Sequence, residues 1–250
     1  MIKRSISGIV LVLLLGFVLM QGGYFLDLSV VLLSVIAIFE FARVCKENNI
    51  HLHRELLVLQ VVFLFFFHGQ FSFLLVSVIF LFLTSGFYAI ARNGITDMVY
   101  TVFASIYIVV NFAFFYLLNG DARVLLVFIF SWISDTCAYF TGVFFGKHPL
   151  CPAISPKKTI EGSIGGMIGS ALLTLLFSYY WQGDIIWYYA GFGLVGSAIS
   201  QSGDLIASMF KRQSQIKDYG NIIPGHGGIL DRFDSILFVL PIVYLITLMK

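Results

Sequence analysis

Charge is scarce in this chain. Only 11% of its 250 residues are Asp, Glu, Lys or Arg, against 59% hydrophobic ones, a balance that no soluble domain of this size could carry on its surface. Strand-type alternation is missing as well, which excludes a membrane β-barrel. Cysteines number three, Cys45, Cys137 and Cys151; the odd count and the lack of metal-type spacing exclude a disulfide framework and a zinc site. Internal repeats, linkers and low-complexity segments are absent too. One membrane domain over residues 1–250 is therefore expected, with 1–121 as scaffold and 122–250 carrying the chemistry. The net charge is only +2 and the cations are scattered, so no nucleic-acid partner is expected.

What the chain has in abundance is long apolar runs. Several reach eighteen residues or more, enough for a helix to cross roughly 30 Å of hydrocarbon. Lys3 and Arg4 precede the first run, 6–20, but no A-x-A-like cleavage site follows at Gln21, Gly22 and Gly23, and a retained first helix is expected. Further spans are expected at 28–44, 56–67, 71–91, 97–118, 122–145, 162–181, 185–206 and 233–249. The fold class is thus all-α and polytopic, with about nine transmembrane helices.

Charge topology orients them. Arg43, Lys46 and Arg54 precede the pair of runs at 56–91 and Arg92 follows it, whereas the turn His68-Gly69-Gln70 between them has no cation. An even number of crossings fits that pattern. With the N-terminus in the cytosol, thirteen cations fall on inner segments and only Arg123 and Lys250 on outer ones, a strong positive-inside asymmetry. Two long polar loops, 147–161 and 207–232, then face the cytosol, and the chemistry should use cytosolic reagents.

Some tempting patterns are structural. Gly191-x-Gly193-x-x-Gly196 matches a dinucleotide fingerprint but lies inside an apolar span with no preceding strand. Gly162, Gly165, Gly166 and Gly169 share one helical face and suit close helix packing, Gly162 also bordering the polar loop. His51, His53 and His68 have no carboxylate constellation and read as interfacial side chains. Glu40, between Phe39 and Phe41, is expected to reach water or pair with Arg43.

The residues that can carry chemistry are acids inside or at the edge of the apolar runs, with cations nearby. An intramembrane aspartate is a functional candidate by default. Asp135 lies in such a run, and Ser131, Asp135 and Tyr139 recur at four-residue spacing as a polar stripe. Asp204 is a second, on a face shared with Gln201, Ser208 and Lys211. Asp231 and Asp234 open the last span, where one of them could instead cap the helix. Oxygen donors without a His or Cys cluster favour magnesium, which takes one or two carboxylates plus substrate phosphates. Cations to suit a phosphate are present. Ser155-Pro-Lys157-Lys158-Thr159-Ile-Glu161-Gly162 puts two lysines and a hydroxyl before a glycine-rich helix start, although both lysines could be plain interfacial anchors. The stretch 208–234 adds Lys211, Arg212, Lys217, Arg232, His226 and a Pro224-Gly-His226-Gly227-Gly228 turn whose backbone can approach a ligand. Read from the residues, this is a magnesium-assisted phosphate site open to the bilayer, suited to one nucleotide and one lipid.

At this point the sequence resembles the phosphatidate cytidylyltransferases, or CDP-diacylglycerol synthases. Ser208, Lys211-Arg212, Lys217-Asp218, Gly220, Ile223-Pro224, His226-Gly-Gly-Ile229, Asp231-Arg232-Phe233 and Asp234 match that family's signature, and Asp135-Thr136, Gly142, Gly146-Lys147, the 155–162 element and Gln201-x-Gly-Asp204 match in order upstream. The resemblance implies transfer of CMP from CTP to phosphatidic acid, giving CDP-diacylglycerol and pyrophosphate, in an inner-membrane protein with its active site towards the cytosol. It implies Asp204 and Asp231 as ligands of Mg2+, with Asp135 and Asp234 as candidates for a second cation or for the cytidine end. Lys157, Lys158, Lys211, Arg212, Lys217, His226 and Arg232 would share the phosphates, and Thr159, Glu161, Gly162, Ser208, Gly227 and Gly228 would border the substrates. The lipid bilayer is the partner, and a homodimer is compatible with it. A CTP-dependent polyprenol or phytol kinase, and an ion-coupled transporter, are the competing readings.

Overall fold

The computed structural model describes residues 2–67, 70–92, 94–183, 185–223, 225 and 227–249, with the side chains of 2–7, 9, 11, 92 and 182 left aside. His226, Pro224, His68, Gly69 and Lys250 lie outside the described residues, as do the side chains of Lys3, Arg4 and Arg92.

Among the described residues the chain forms nine continuous helical runs. The first four are α1 (Ile2–Gln21), α2 (Gly23–Glu47), α3 (Arg54–Phe66) and α4 (Phe71–Arg92). The fifth joins α5 (Ile95–Ala104) to α6 (Asn111–Leu117) through a π turn, Ser105–Val110. The sixth joins α7 (Leu125–Phe128) to α8 (Ser134–Phe145) through another, Ile129–Ile133. Then come α9 (Ile160–Gln182), α10 (Tyr188–Gln213) and α11 (Leu230–Leu248). Five stretches are long and apolar enough to cross a membrane: Gly23–Glu47, Phe71–Ala91, Ile95–Leu117, Ala122–Phe145 and Ile160–Trp181. This is a multi-pass membrane protein, and its outward apolar side chains, such as Leu75, Phe87, Phe144 and Leu172, suit a lipid solvent.

The fold departs from all-α at one place. Pro149–Cys151 (β1) and Ser155–Thr159 (β2) pair antiparallel as a short hairpin, with Pro149 opposite Thr159 and Cys151 opposite Ser155. Pro156 and the polar Ser-Pro-Lys-Lys-Thr composition keep this segment from continuing a helix, and the hairpin satisfies its backbone groups.

Two compact units divide the chain. The first comprises Met1–Asp121 and Gln213–Phe233. Its core stacks Ala37, Ile38 and Phe41 of α2 against Leu57, Val61 and Leu64 of α3, with Ala104, Ile108 and Phe112 and the fully buried Tyr219. Phe41 meets the rings of Phe103, Tyr107 and Tyr219 at 6.0, 6.2 and 6.4 Å between centroids. Within this apolar interior the Gln60 amide donates to Ser77 Oγ at 3.1 Å and accepts from Ser105 Oγ at 2.8 Å, the pairing a dry interior favours. His53 is not merely interfacial, since its ring packs edge-on to Tyr88 at 4.4 Å.

The second unit comprises Ala122–Arg212 and Asp234–Lys250. Here the glycine stripe of α9 packs on α8. A methyl at Gly162 would stand 2.8 Å from the Ala138 carbonyl and one at Gly166 2.8 Å from that of Ser134, while Gly165 would meet Thr141 and Gly169 would meet Cys137. The helices approach this closely because no side chain intervenes. Gly193 and Gly196 of the fingerprint lookalike serve the same end, lying against Ala171 and the Phe130 ring. Buried hydroxyls knit the helices: Ser134 Oγ and Ser197 Oγ are 2.6 Å apart, and Gln201 Nε2 reaches Ser197 Oγ at 3.1 Å and the Ser163 carbonyl at 3.2 Å.

Candidate active site

Within the second unit, four consecutive parts of the fold supply one cavity of about 410 Å³. Helix α8 contributes Asp135, Ala138, Tyr139, Gly142 and Val143; the hairpin contributes Leu150, Lys157, Lys158 and Thr159; Gly162 and Ser163 of α9 and Gln201 and Asp204 of α10 complete it. Lys158 and Asp204 form an ion pair inside it. The Lys158 Nζ is buried, with no hydrogen-bond acceptor besides that carboxylate among the described residues. Asp135 lines the same cavity. The cavity is therefore lined by two carboxylates and two lysines together with Tyr139, Val143 and Leu150.

The backbone explains why these side chains converge. The π turn at Ile129–Ile133 inserts an extra residue into the helical ladder and resets the phase. Ser131 consequently turns inward, fully buried and donating to the Val127 carbonyl at 2.7 Å, while Asp135 and Tyr139 line the cavity. The expected stripe of Ser131, Asp135 and Tyr139 assumed an unbroken helix, and it loses Ser131. At the start of α9, Thr159 accepts from the Gly162 N–H at 3.1 Å and caps the helix. Glu161 folds back onto the preceding turn, accepting from the backbone N–H groups of Lys147 and His148 at 3.1 and 3.2 Å and pairing with His148 Nδ1 at 2.6 Å. Its observed place is in holding the hairpin; His148, its partner, escaped the sequence reading.

The face expected to join Gln201, Asp204, Ser208 and Lys211 also divides. Gln201 and Asp204 line the cavity; Ser208 and Lys211 are not among the described residues that do. Lys211 instead approaches Asp234, with Nζ 3.6 Å from Oδ2 and both side chains largely buried. Asp234 Oδ1 accepts from the Ser235 N–H at 2.8 Å. Arg212 Nε donates to the Ile154 carbonyl at the hairpin tip, at 3.4 Å.

In the first unit, the segment between α10 and α11 forms its own polar cavity of about 330 Å³, lined by Lys217, Asp218, Asn221, Ile223, Gly225, Gly227 and Arg232. The Ile223 N–H donates to the Gly227 carbonyl at 2.9 Å and closes the turn. Gly227 has φ +86°, and a methyl there would stand 2.7 Å from Asp231 Oδ2, so only glycine fits. Asp231 does more than cap a helix. Its Oδ2 accepts from Tyr219 N–H at 2.7 Å and Gly228 N–H at 2.9 Å, tying the segment's two ends together. Glu40 of α2 takes the neighbouring donors, Ile229 N–H at 3.0 Å and Leu230 N–H at 2.9 Å. Its hydrogen-bond partners are thus at the start of α11; buried at 5% exposure, it neither reaches water nor pairs with Arg43 as expected, and Arg43 donates to the Tyr219 carbonyl instead. The signal that could have found it was a lone acid in an apolar run.

A model of the "Cytidylyltransferase family" matches residues 2–249. The chain belongs to that family. Similar proteins named phosphatidate cytidylyltransferase come from Staphylococcus haemolyticus, 33% identical over 249 residues and 96% of each chain, and from Staphylococcus epidermidis, 32% identical over the same share. One from Staphylococcus aureus strain COL is 43% identical over 154 residues, which is 60% of this chain and 59% of that protein.

The donor set can be tested against a divalent ion. Among the described residues no group of three or more His, Cys, Asp or Glu side chains is gathered to hold a metal. Asp135 and Asp204 on one cavity do fit magnesium, which is content with one or two carboxylates plus phosphate and water oxygens. In the structure Asp204 is paired with Lys158.

Proposed function

We propose that this protein transfers CMP from CTP to phosphatidic acid, releasing pyrophosphate and forming CDP-diacylglycerol. The observation that carries the reading is the second unit's cavity, which Asp135, Lys157, Lys158 and Asp204 line together with Tyr139, Val143 and Leu150. That combination suits a phosphate attached to something greasy. The 32–33% identity over nearly full length to proteins named for this activity supports it.

In this reading one oxygen of the phosphatidate anion attacks the α-phosphorus of CTP in line, the bond to the β-phosphate oxygen breaks, and pyrophosphate leaves with the electron pair. The nucleophile is already an anion, so no strong general base is needed. The chain's work is to position two polyanions and offset their repulsion. Lys157 and Lys158 offer ammonium groups to phosphate oxygens, and the N-terminus of α9 at Thr159 to Gly162 adds its backbone dipole. Lys211, Arg212, Lys217, His226 and Arg232 are the further phosphate-binding candidates. Magnesium, when bound, would neutralise phosphate charge. Asp204 and Asp135 would hold it, with Asp231 and Asp234 as the remaining candidate ligands for it or for a second cation.

The same reading takes all nine helical runs as crossings, with the N-terminus and both polar loops in the cytosol; the thirteen inner cations against two outer ones support that orientation. It also includes an inner-membrane location and assembly as a homodimer, the latter checked by the mass of the detergent-solubilised particle.

Purified protein incubated with labelled CTP, magnesium and phosphatidic acid tests the function. CDP-diacylglycerol and pyrophosphate are expected in equal amounts. Release of CDP with a phosphorylated lipid alcohol would make it a kinase instead, and no nucleotide turnover by folded protein would overturn the reading.

A further inference from the structure

Two carboxylates organise the polar segment ahead of α11, and only one belongs to it. Asp231 holds Tyr219 and Gly228 by their N–H groups. Glu40, from α2, holds Ile229 and Leu230 across 189 and 190 positions of sequence. One turn further along α2, the Arg43 guanidinium donates to the Tyr219 carbonyl. Helix α2 thus grips both ends of the segment. The fit is close. Glu40 is 5% exposed, and a methyl on Gly220 or Gly228 would collide with its carboxylate.

A local way to satisfy a donor here was available. With Ile229 as the cap position of α11, a Glu or Gln at position 232 would reach back to the Ile229 N–H, as in a capping box, without an acid in an apolar span where a charge is costly. Position 232 holds Arg instead, and the acceptor comes from a distant helix. A distant cap does what a local one cannot: it fixes the segment's position against α2 as well as ending the helix. The residues so fixed are Lys217, Asp218, Gly227 and Arg232, which line the 330 Å³ polar cavity.

We propose that Glu40, seconded by Arg43, is a positioning residue for the reaction: it touches no substrate but sets where the backbone from Tyr219 to Leu230 presents Lys217 and Arg232. The proposal rests on the reading that this segment serves the transfer of CMP. Glutamine at 40 keeps the shape but sets an amide NH2, a donor, against one of the two N–H groups that the separate carboxylate oxygens accept.

The test compares the purified full-length protein with its Glu40→Gln variant by turnover and by amide hydrogen exchange. Glu40→Gln is expected to lower kcat by about 10- to 100-fold, since small misplacements of reacting groups cost that much. Exchange should rise about tenfold at 219–230, the size expected for one lost charge-assisted hydrogen bond, and stay unchanged in α8 and α9. Activity within twofold of the parent would overturn the proposal. So would exchange that rises equally in α8 and α9, which would make Glu40 a general stability residue. Where Glu40→Gln does not accumulate, Arg43→Gln decides, with a smaller fall in kcat and the same local rise in exchange expected, and unchanged kcat overturning it. A parent protein without activity would refute the reaction itself; the exchange arm would still show whether Glu40 holds the segment.

Discussion

Asp204 and Asp231 are both aspartates beside a polar cavity, yet the protein holds them differently. Asp204 is held by a side chain, the ammonium of Lys158, in a cavity that leaves both side chains 27% exposed. Asp231 is held by backbone, accepting from Tyr219 and Gly228, and is 8% exposed. A carboxylate paired with a flexible lysine can change partners when a polyanion arrives, because the lysine can turn to the phosphate. A carboxylate bonded to two amides of a tight segment cannot let go without reshaping it. The first arrangement is suited to binding, the second to shape, and an oxygen of Asp231 can serve chemistry only with the segment already built.

Substituting the two residues alike breaks the comparison most directly. Asp204→Asn is expected to lower turnover by roughly 1000-fold or more, the scale of losing a charge that organises phosphates in a water-poor site. Amide exchange at 219–230 should not change. Turnover within tenfold of the parent would remove Asp204 from the proposed metal and phosphate site.

Asp231→Asn comes second. An asparagine carbonyl can replace Oδ2 and keep both backbone bonds, so the substitution removes charge while sparing shape. A loss of roughly 100-fold in magnesium-dependent turnover, with exchange at Tyr219 and Gly228 little altered, would mean that the Asp231 charge serves the reaction. Retained activity would confine it to building the segment, and Asp231→Ala, which removes the bonds too, would then be the damaging change.

These outcomes bear on what the residues alone could reveal. Hydrophobic runs located the helices within a few positions because nothing but a helix satisfies its own backbone in hydrocarbon, and acids inside those runs singled out Asp135 and Asp204. Local periodicity failed where the backbone left the regular helix. Ser131 fell out of the stripe through a π turn, and within the expected polar loop Ser155 to Thr159 formed a strand. Neither change shows in spacing, since both depend on tertiary bonding that a 3.6-residue template does not contain. Long-range capping was equally hidden: Glu40 stood out as a lone acid, but its partners, Ile229 and Leu230, offer only backbone N–H groups, which every residue has. The glycines at 162–169 were legible as a packing face because absence of a side chain is itself the signal.

That packing face offers the smallest effect and the sharpest control. Gly169 lies on α9 against Cys137, where a methyl would fall within contact of both Sγ and Cβ, the latter at 2.8 Å; it is not among the described residues lining the Asp204 cavity. Gly169→Ala must push α8 and α9 apart or turn Cys137 aside. Overpacking of this kind costs about 1–3 kcal/mol, read as a fall of the thermal unfolding midpoint in detergent. Turnover per folded molecule should stay within about twofold, because misplacement at the cavity, not stability, is what lowers the chemical rate. If instead Gly169→Ala lowered turnover as far as Asp231→Asn does, the α8–α9 spacing would be setting the distance between Asp135 and Asp204. The side-chain pairing of Asp204 would then be as dependent on backbone geometry as that of Asp231, and the contrast between the two aspartates would collapse.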